Sequence, residues 1–192
     1  MNMNSENSAI IPGANFEQLF MPVTPENISE NVFSLAGKIF PVITAGCVDN
    51  CNAMTASGGG YGVLFKRPAT WCILQSTRYT LEMMLKFGSY TLSYFGEEYR
   101  DDVLFLGSKS GRDSEKMSEV NLSVIETPLG NVAFREAFLV IECKLVQVTT
   151  VHEADFYSEE AINYIGKVYK DPDEYRKYVF GEIRAVWEKR GG

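Results

Sequence analysis

The sequence is poor in metal-binding and redox side chains: it has one histidine, His152, and four cysteines. Cys47 and Cys51 are four positions apart, which is the wrong spacing for a Cys-x-x-Cys redox pair. A single histidine also leaves no recognisable set of zinc ligands. We therefore expect no metal centre and expect the cysteines to be reduced, partly buried thiols.

Basic residues and long apolar runs are scarce as well. The 18 Lys and Arg are outnumbered by 25 Asp and Glu, which gives a net charge of −7. This balance argues against nucleic acid or an anionic membrane as the main partner, although it allows a local basic pocket. No run of about eighteen apolar residues predicts a membrane span. Residues 1–9 lack the basic and apolar regions of a secretory signal, so a cytoplasmic protein is expected.

Aromatic residues are plentiful, with 12 Phe and 10 Tyr in 192 residues. This length suits one domain with a sizeable core. Most of the aromatic side chains are explained by a β-rich core, but flat side chains can also line a site for a planar ligand.

The hydrophobic pattern predicts strands over residues 38–45, 52–57, 69–76, 90–95, 138–150 and 179–187. Residues 1–36 contain Pro12, Pro22 and Pro25 and are interpreted as an irregular N-terminal arm that precedes a domain over residues 37–192. The glycines at 58–60 and 62 are interpreted as a turn and not as a dinucleotide fingerprint, because Pro68 follows too closely for a helix. The predicted fold is mainly β: a barrel with short peripheral helices.

Short helices are predicted between the strands. Thr80 is expected to cap a helix in which Leu81, Met84 and Leu85 share one face and which Gly88 ends. Further helices are expected over residues 97–106 and from Asp113. A helical insertion at about residues 156–178, clearest from Ser158, precedes the last strand, and its best start signal is Asp171-Pro172-Asp173-Glu174.

Two of the predicted helix starts carry cations, which is unfavourable beside the positive end of a helix dipole. Arg78 precedes the Thr80 cap, Lys109 and Arg112 precede the helix at Asp113, and Lys116 lies in its first turn. An anion such as phosphate, held by helix N–H groups, would resolve this conflict. Cations that point into solvent would resolve it equally well.

An ordered set of motifs resembles the flavin reductase-like, FMN-binding split-barrel family, which includes flavoredoxin. The set comprises NAMTAS at 52–57, Lys66-Arg67-Pro68, Thr77-Arg78-Tyr79-Thr80 and the stretch from Ser108 to Lys116. The similarity runs from about Lys38 to Val148 and resumes near Phe180-Gly181-Glu182-Ile183.

This resemblance implies an FMN-binding split β-barrel that works as an oxidoreductase and forms a homodimer. The ring of FMN would be held by the NAMTAS strand, and NAD(P)H would be the co-substrate of an NAD(P)H:flavin reductase, if the protein is not a flavoredoxin-like electron carrier. Because the flavin itself carries out the redox chemistry, no acid–base residue is assigned, and His152 is expected to be a loop residue. The implied cofactor-binding residues are Asn52, Ala53, Met54, Thr55, Ala56, Ser57, Thr77, Arg78, Thr80, Ser108, Ser110 and Lys116.

Two alternatives remain open. The protein could bind or store flavin without turnover, or a split-barrel enzyme could act on another ligand such as haem or pyridoxal phosphate. The single histidine argues against haem, which needs an axial ligand. The helical insertion is longer than a minimal barrel requires and could cover the ring as a flap.

Overall fold

The computed structural model describes residues 15–112, 116–168 and 176–191 and contains a mainly antiparallel β fold. Eight strands form one sheet in the order β3-β2-β6-β9-β10-β5-β4, and β1 pairs with β10 beside β5. Within the described part of the chain β3 and β4 end the sheet without pairing to each other, so the barrel is split. Strands β7 and β8 form a separate hairpin. The strands are β1 Phe20–Val23, β2 Val42–Cys47, β3 Asn50–Thr55, β4 Gly59–Leu64, β5 Arg67–Gln75, β6 Ser89–Tyr94, β7 Val124–Glu126, β8 Val132–Phe134, β9 Leu139–Thr150 and β10 Arg176–Lys189.

The α-helices are short and lie between strands: α1 Phe16–Leu19, α2 Val32–Ser34, α3 Tyr79–Phe87, α4 Arg100–Ser108 and α5 Glu159–Val168. Gly88 ends α3 in the left-handed conformation, with φ at 69°, as predicted. On α3, Leu81 and Met84 are buried as expected, but Leu85 is exposed and Met83 takes its place in the core. None of the described helices is long and apolar enough to cross a membrane.

The central strands bury both of their faces, because separate apolar clusters lie on the two sides of the sheet. Along β6, Tyr90, Leu92 and Tyr94 enter one cluster, which also contains Ile43 of β2. Val42 of β2 enters the second cluster. This arrangement explains why these strands appear as nearly continuous hydrophobic runs.

Strand β2 begins later than predicted. Residues Leu35–Ile39 wind into one π-helical turn, and Phe40 follows with a positive φ of 62°. Extended structure therefore starts only at Val42 and not at Lys38.

The glycine-rich segment was wrongly predicted to be a turn, since Gly59–Leu64 forms edge strand β4. A Cβ on Gly60 would lie 2.3 Å from the ring of Trp71, so glycine allows this side chain to cross the neighbouring strand. The hairpin turns at Phe65 and Lys66, whose φ angles are both positive. Pro68 is tolerated within β5 because pairing with β10 reaches only to Ala69.

The described part of the N-terminal arm is also more regular than predicted. Strand β1 pairs with the C-terminal half of β10, and Phe16 and Phe20 are buried next to Trp187. The prediction for Pro12 concerns a residue outside the described part of the chain.

The described part of the helical insertion contains α5, Glu159–Val168. Its proposed start at Asp171–Glu174 lies outside the described residues, as do Tyr169 and Tyr175, while Tyr178 belongs to β10. Tyr157 and Tyr164 are exposed. The helix predicted from Asp113 also begins outside the described residues, and Lys116–Ser118 form a single 3₁₀ turn.

Candidate functional site

A cavity of about 240 Å³ lies between β3, the start of α3 and the loop after α4. Seven of the twelve predicted site residues line it: Asn52, Met54, Thr77, Arg78, Thr80, Ser110 and Lys116. Gln75, Tyr79, Lys109 and Gly111 complete the lining. Segments that are separated by up to about sixty residues in sequence are thus brought together by the fold.

The N-terminus of α3 forms one wall of this cavity. Arg78 is the N-cap residue, has an extended backbone and makes no side-chain capping bond, so the prediction that Thr80 caps the helix is wrong. Instead, Thr80 is buried and its Oγ1 accepts a hydrogen bond of 2.6 Å from Nδ2 of Asn52. Thr80 therefore joins α3 to β3. The first turn of α3 lies at the wall of the cavity, where the N–H of Leu81 already donates to the carbonyl oxygen of Arg78 at 3.0 Å.

The C-terminus of α4 forms the opposite wall, where Lys116 is only 2% exposed. Its Nζ donates hydrogen bonds of 3.0 Å to the carbonyl oxygens of Leu106 and Lys109. A cation suits this position, because terminal carbonyls lack helical partners and lie at the negative end of the dipole. Burial and, after it, the charge of Arg78 lower the pKa of Lys116 from its usual 10.5 to about 8.

Arg78 and Lys116 place two like charges on one small cavity. Arg78 donates to the carbonyl oxygen of Gly107 at 3.3 Å. Among the described residues, no carboxylate forms a salt bridge with either side chain. Two neighbouring cations next to a helix N-terminus form a favourable environment for an anion.

Arg112 has a different role from these two cations. It forms an ion pair with Glu82 of α3, donates to the carbonyl oxygen of Thr77 at 2.8 Å, and its guanidinium lies 5.4 Å from the ring centre of Tyr79. These contacts tie the loop after α4 to the start of α3. Of the predicted anion ligands, Arg112 is thus already occupied.

Five predicted residues lie outside the cavity. Ala53 and Ala56 are core residues, and the hydroxyl of Thr55 donates to the carbonyl oxygen of Val103 at the α4 side of β3. Ser57 is exposed just beyond β3, and Ser108 donates to the carbonyl oxygen of Phe105 at 2.9 Å. Their side chains therefore do not join the cluster that contains Arg78 and Lys116.

Gly111 lines the cavity but was not among the site residues predicted from the sequence. A Cβ at this position would lie 1.9 Å from Oδ1 of Asn52, so only glycine lets the loop approach β3 so closely. In the sequence, a glycine within Lys109-Ser110-Gly111-Arg112 could have indicated this close approach.

The remaining reactive side chains behave as expected. All four cysteines are free thiols, and burial raises the pKa of Cys51, beside the cavity, to about 11. His152 is an exposed loop residue whose backbone N–H donates to Asp155 at 2.7 Å.

The fold is thus a split antiparallel barrel with a basic cavity at a helix N-terminus. Residues 38–189 match the model of the flavin reductase like domain. Because this match covers most of the chain, the protein belongs to the flavin reductase-like family, which confirms the predicted family and fold. No curated protein matches the chain in sequence.

Solved structures with the same fold include flavin proteins. An FMN-binding protein from Thermus thermophilus, solved with bound 1-cyclohex-2-enone, is 20% identical, with a TM-score of 0.61 over 88% of this chain and 80% of that one. Flavoredoxin of Desulfovibrio vulgaris (Miyazaki F) is 16% identical, with a TM-score of 0.60 over 88% of this chain and 78% of that one. An FMN-binding domain of a flavin reductases-like enzyme from Shewanella baltica OS155 is 15% identical, with a TM-score of 0.62 over 88% and 76%. At these identities the likeness concerns the fold.

Proposed function

We propose that this protein binds FMN and acts as an FMN-dependent oxidoreductase. The observation that carries the proposal is the pair Arg78 and Lys116 on a cavity that also contains the N-terminus of α3. Family membership makes a flavin phosphate the anion that best suits this pair. The donors fit it, since two cations and the backbone N–H groups at the start of α3 together supply charge and hydrogen bonds.

In this proposal the phosphate would be held by Arg78, Lys116 and Ser110 together with backbone N–H groups of α3. Strand β3 ends the sheet, so one of its edges offers backbone donors and acceptors within the described part of the chain. Together with Thr55 and Ser57, these groups would hold the flavin ring. Ala53 and Ala56, the small residues of this segment, are buried in the two apolar clusters on either side of the sheet.

The chemistry that FMN supplies when bound is the transfer of electrons between a donor and an acceptor. The protein's own residues would bind and orient the cofactor and exclude water from one of its faces. We propose NAD(P)H as the donor. The first acceptors to test are cyclohexenone and p-hydroxybenzaldehyde, because solved structures of the Thermus protein contain these compounds.

Purification and titration test this function. The expected result is flavin absorption bands in the purified protein, or saturable binding of added FMN at micromolar concentration. Absence of both would contradict the proposal. Steady-state oxidation of NADH and NADPH then separates an enzyme from a flavin-storage protein, which would bind FMN without turnover above that of free flavin.

We also propose a homodimer that works in the cytoplasm. Phe33, Val63 and Phe65 are 83%, 78% and 73% exposed, and α2 contacts β4, so these side chains offer apolar surface for a partner. The four free thiols suit a reducing compartment. Light scattering should give twice the chain mass of 21.5 kDa, and a monomer at all working concentrations would contradict the dimer.

A further inference from the structure

A second cavity, of about 340 Å³, lies on the other side of α4. It shares no lining residue with the Arg78–Lys116 cavity, and it contains none of the twelve residues predicted for FMN. Six of its eleven lining residues carry apolar side chains, three of them aromatic: Ile39, Phe40, Phe95, Val103, Leu104 and Phe138. Charged side chains lie at its exposed rim.

The backbone at this cavity is unusual in two ways. Residues Leu35–Ile39 form a π-helical turn, a rare conformation that occurs mostly at functional sites. Phe40 then adopts φ 62° and ψ 118°, which is strongly disfavoured for a bulky residue. Such strain is kept where the surroundings enforce it, and it is concentrated at ligand sites.

These irregularities determine what lines the cavity. In an extended strand, successive side chains point to opposite faces. Here Lys38, Ile39 and Phe40 are consecutive and nevertheless all line one cavity. The strained turn therefore brings an aromatic residue and a basic residue to the same site.

The walls select for a flat, apolar molecule. Phe40, Phe95 and Phe138 line the cavity from three separate segments, and the ring of Phe95 is fixed by edge contacts with Tyr99 and Phe134. Phenyl rings pack well against another aromatic ring, by stacking or by edge contacts. A volume of about 340 Å³ also lies at the small end of the range for ligand pockets, which suits a molecule with one or two rings.

The charged residues at the rim favour a ligand with a carboxylate. The four charged residues are Glu30, Lys38, Glu97 and Arg100. Arg100 contacts Glu97 through one nitrogen at the long distance of 3.5 Å, so most of its five N–H donors remain for a ligand. A carboxylate can accept two of these at once, which an ammonium such as Lys38 cannot offer.

We propose that this cavity binds a planar aromatic carboxylate, with the ring among the three phenylalanines and the carboxylate at Arg100 and Lys38. The site borders the proposed flavin strand, because Val103 lines the cavity and accepts the hydrogen bond from Thr55. It does not depend on FMN, and the two proposals can therefore fail separately.

The probe is 4-fluorobenzoate, followed by fluorine NMR with the full-length protein, with and without added FMN. We expect saturable binding, weaker binding of 4-fluorobenzamide and 4-fluorobenzylamine, and no competition by FMN. Absence of saturable binding would overturn the proposal, and so would tighter binding of the amine, which would assign the rim to Glu30 and Glu97. Displacement by FMN would also overturn it, since the cavity would then belong to the flavin.

One variant and one matched control test the role of Arg100. Arg100→Gln should weaken binding of 4-fluorobenzoate about tenfold or more and leave the amide unaffected. Arg184→Gln is the control, because Arg184 is also half-exposed and paired with a glutamate, at 3.3 Å, but lies elsewhere. Equal effects of the two changes would contradict a specific role of Arg100.

The role of the strained residue is tested with Phe40→Gly and Phe40→Leu. Glycine tolerates a positive φ, so the fold should persist while the aromatic wall is lost. Leucine keeps an apolar side chain without the flat ring. Both variants should bind 4-fluorobenzoate more weakly. Unchanged affinity in a folded Phe40→Leu protein would contradict the proposed aromatic wall.

Discussion

The affinity of the protein for FMN should depend on pH through a single side chain, Lys116. In the ligand-free protein, burial and then the charge of Arg78 lower the pKa of Lys116 to about 8. The ammonium is therefore mostly charged at pH 7 and mostly neutral at pH 9. A phosphate beside it stabilises the charged form and raises this pKa, so FMN should bind with uptake of a proton near pH 8.

The size of the effect follows from one charge-assisted hydrogen bond, about 1.5–3 kcal/mol. This energy would raise the pKa of Lys116 from about 8 to between about 9 and 10 in the complex. By linkage, the affinity for FMN then falls about five- to ninefold between pH 7 and pH 9. The direction is fixed, since deprotonation removes a positive charge from an anion site.

Fluorescence titration with FMN and with riboflavin measures this effect. Riboflavin has the same ring but no phosphate, so its affinity should not follow Lys116, and any ionisation of the ring cancels in the ratio of the two affinities. In Lys116→Met the ratio should be lower at pH 7 and flat up to pH 9. Lys86→Met, a change of an exposed lysine on α3, is the control and should behave like the wild type.

A parallel decline of the affinities for FMN and riboflavin with pH would refute the reasoning, because the titrating group would then act on the ring or on the fold. A constant FMN affinity from pH 7 to pH 9 would refute it as well. Among the described residues, the other charged groups at the cavity are Arg78 and Lys109, and Arg78 stays protonated throughout this range.

Three further predictions use the same pair of ligands. Arg78→Gln should weaken the binding of FMN roughly tenfold to a hundredfold and leave the binding of riboflavin unchanged. Added salt should likewise weaken the binding of FMN more than that of riboflavin. Equal losses of affinity for the two ligands would exclude a phosphate contact. Gly111→Ala should weaken FMN because its Cβ displaces Asn52, whereas Gly166→Ala, which meets no atom within 4 Å, should not; equal affinities measured by titration would show that the loop moves freely. Removal of residues 158–175 should preserve FMN binding but change turnover or acceptor choice, and unchanged kinetics with every acceptor would rule out a flap.

The strands were predictable where a hydrophobic run is long and both of its faces are buried. Residues 138–150 were predicted as a strand almost at their true bounds. The first half of β9, Leu139 to Cys143, is buried and contributes to both apolar clusters, whereas its second half is more exposed. Strand β4 was missed because its glycines indicate a turn locally. Their actual cause is the ring of Trp71 on the next strand, which no local pattern contains.

The candidate site was predictable as a set of segments but not as a set of contacts. The motifs at 52–57, 77–80 and 108–116 meet at one cavity, yet Thr80 contacts Asn52 and does not cap α3. A capping threonine and a buried threonine look identical in a sequence, because the difference depends on where β3 passes. The alternation of β3 likewise turns Ala53 into the core and leaves Met54 at the cavity.

Deprotonation of Lys116 can separate its role in the fold from its proposed role in phosphate binding, whereas removal of the side chain affects both. Its ammonium donates to two carbonyl oxygens at the end of α4, so removal of the side chain disturbs the fold as well as any ligand. Deprotonation is a cleaner change, because a neutral amine can still donate both hydrogen bonds while its charge is gone. If Lys116 served only the fold, the affinity for FMN would change little between pH 7 and pH 9. A loss that is confined to FMN over this range therefore reports the phosphate contact itself.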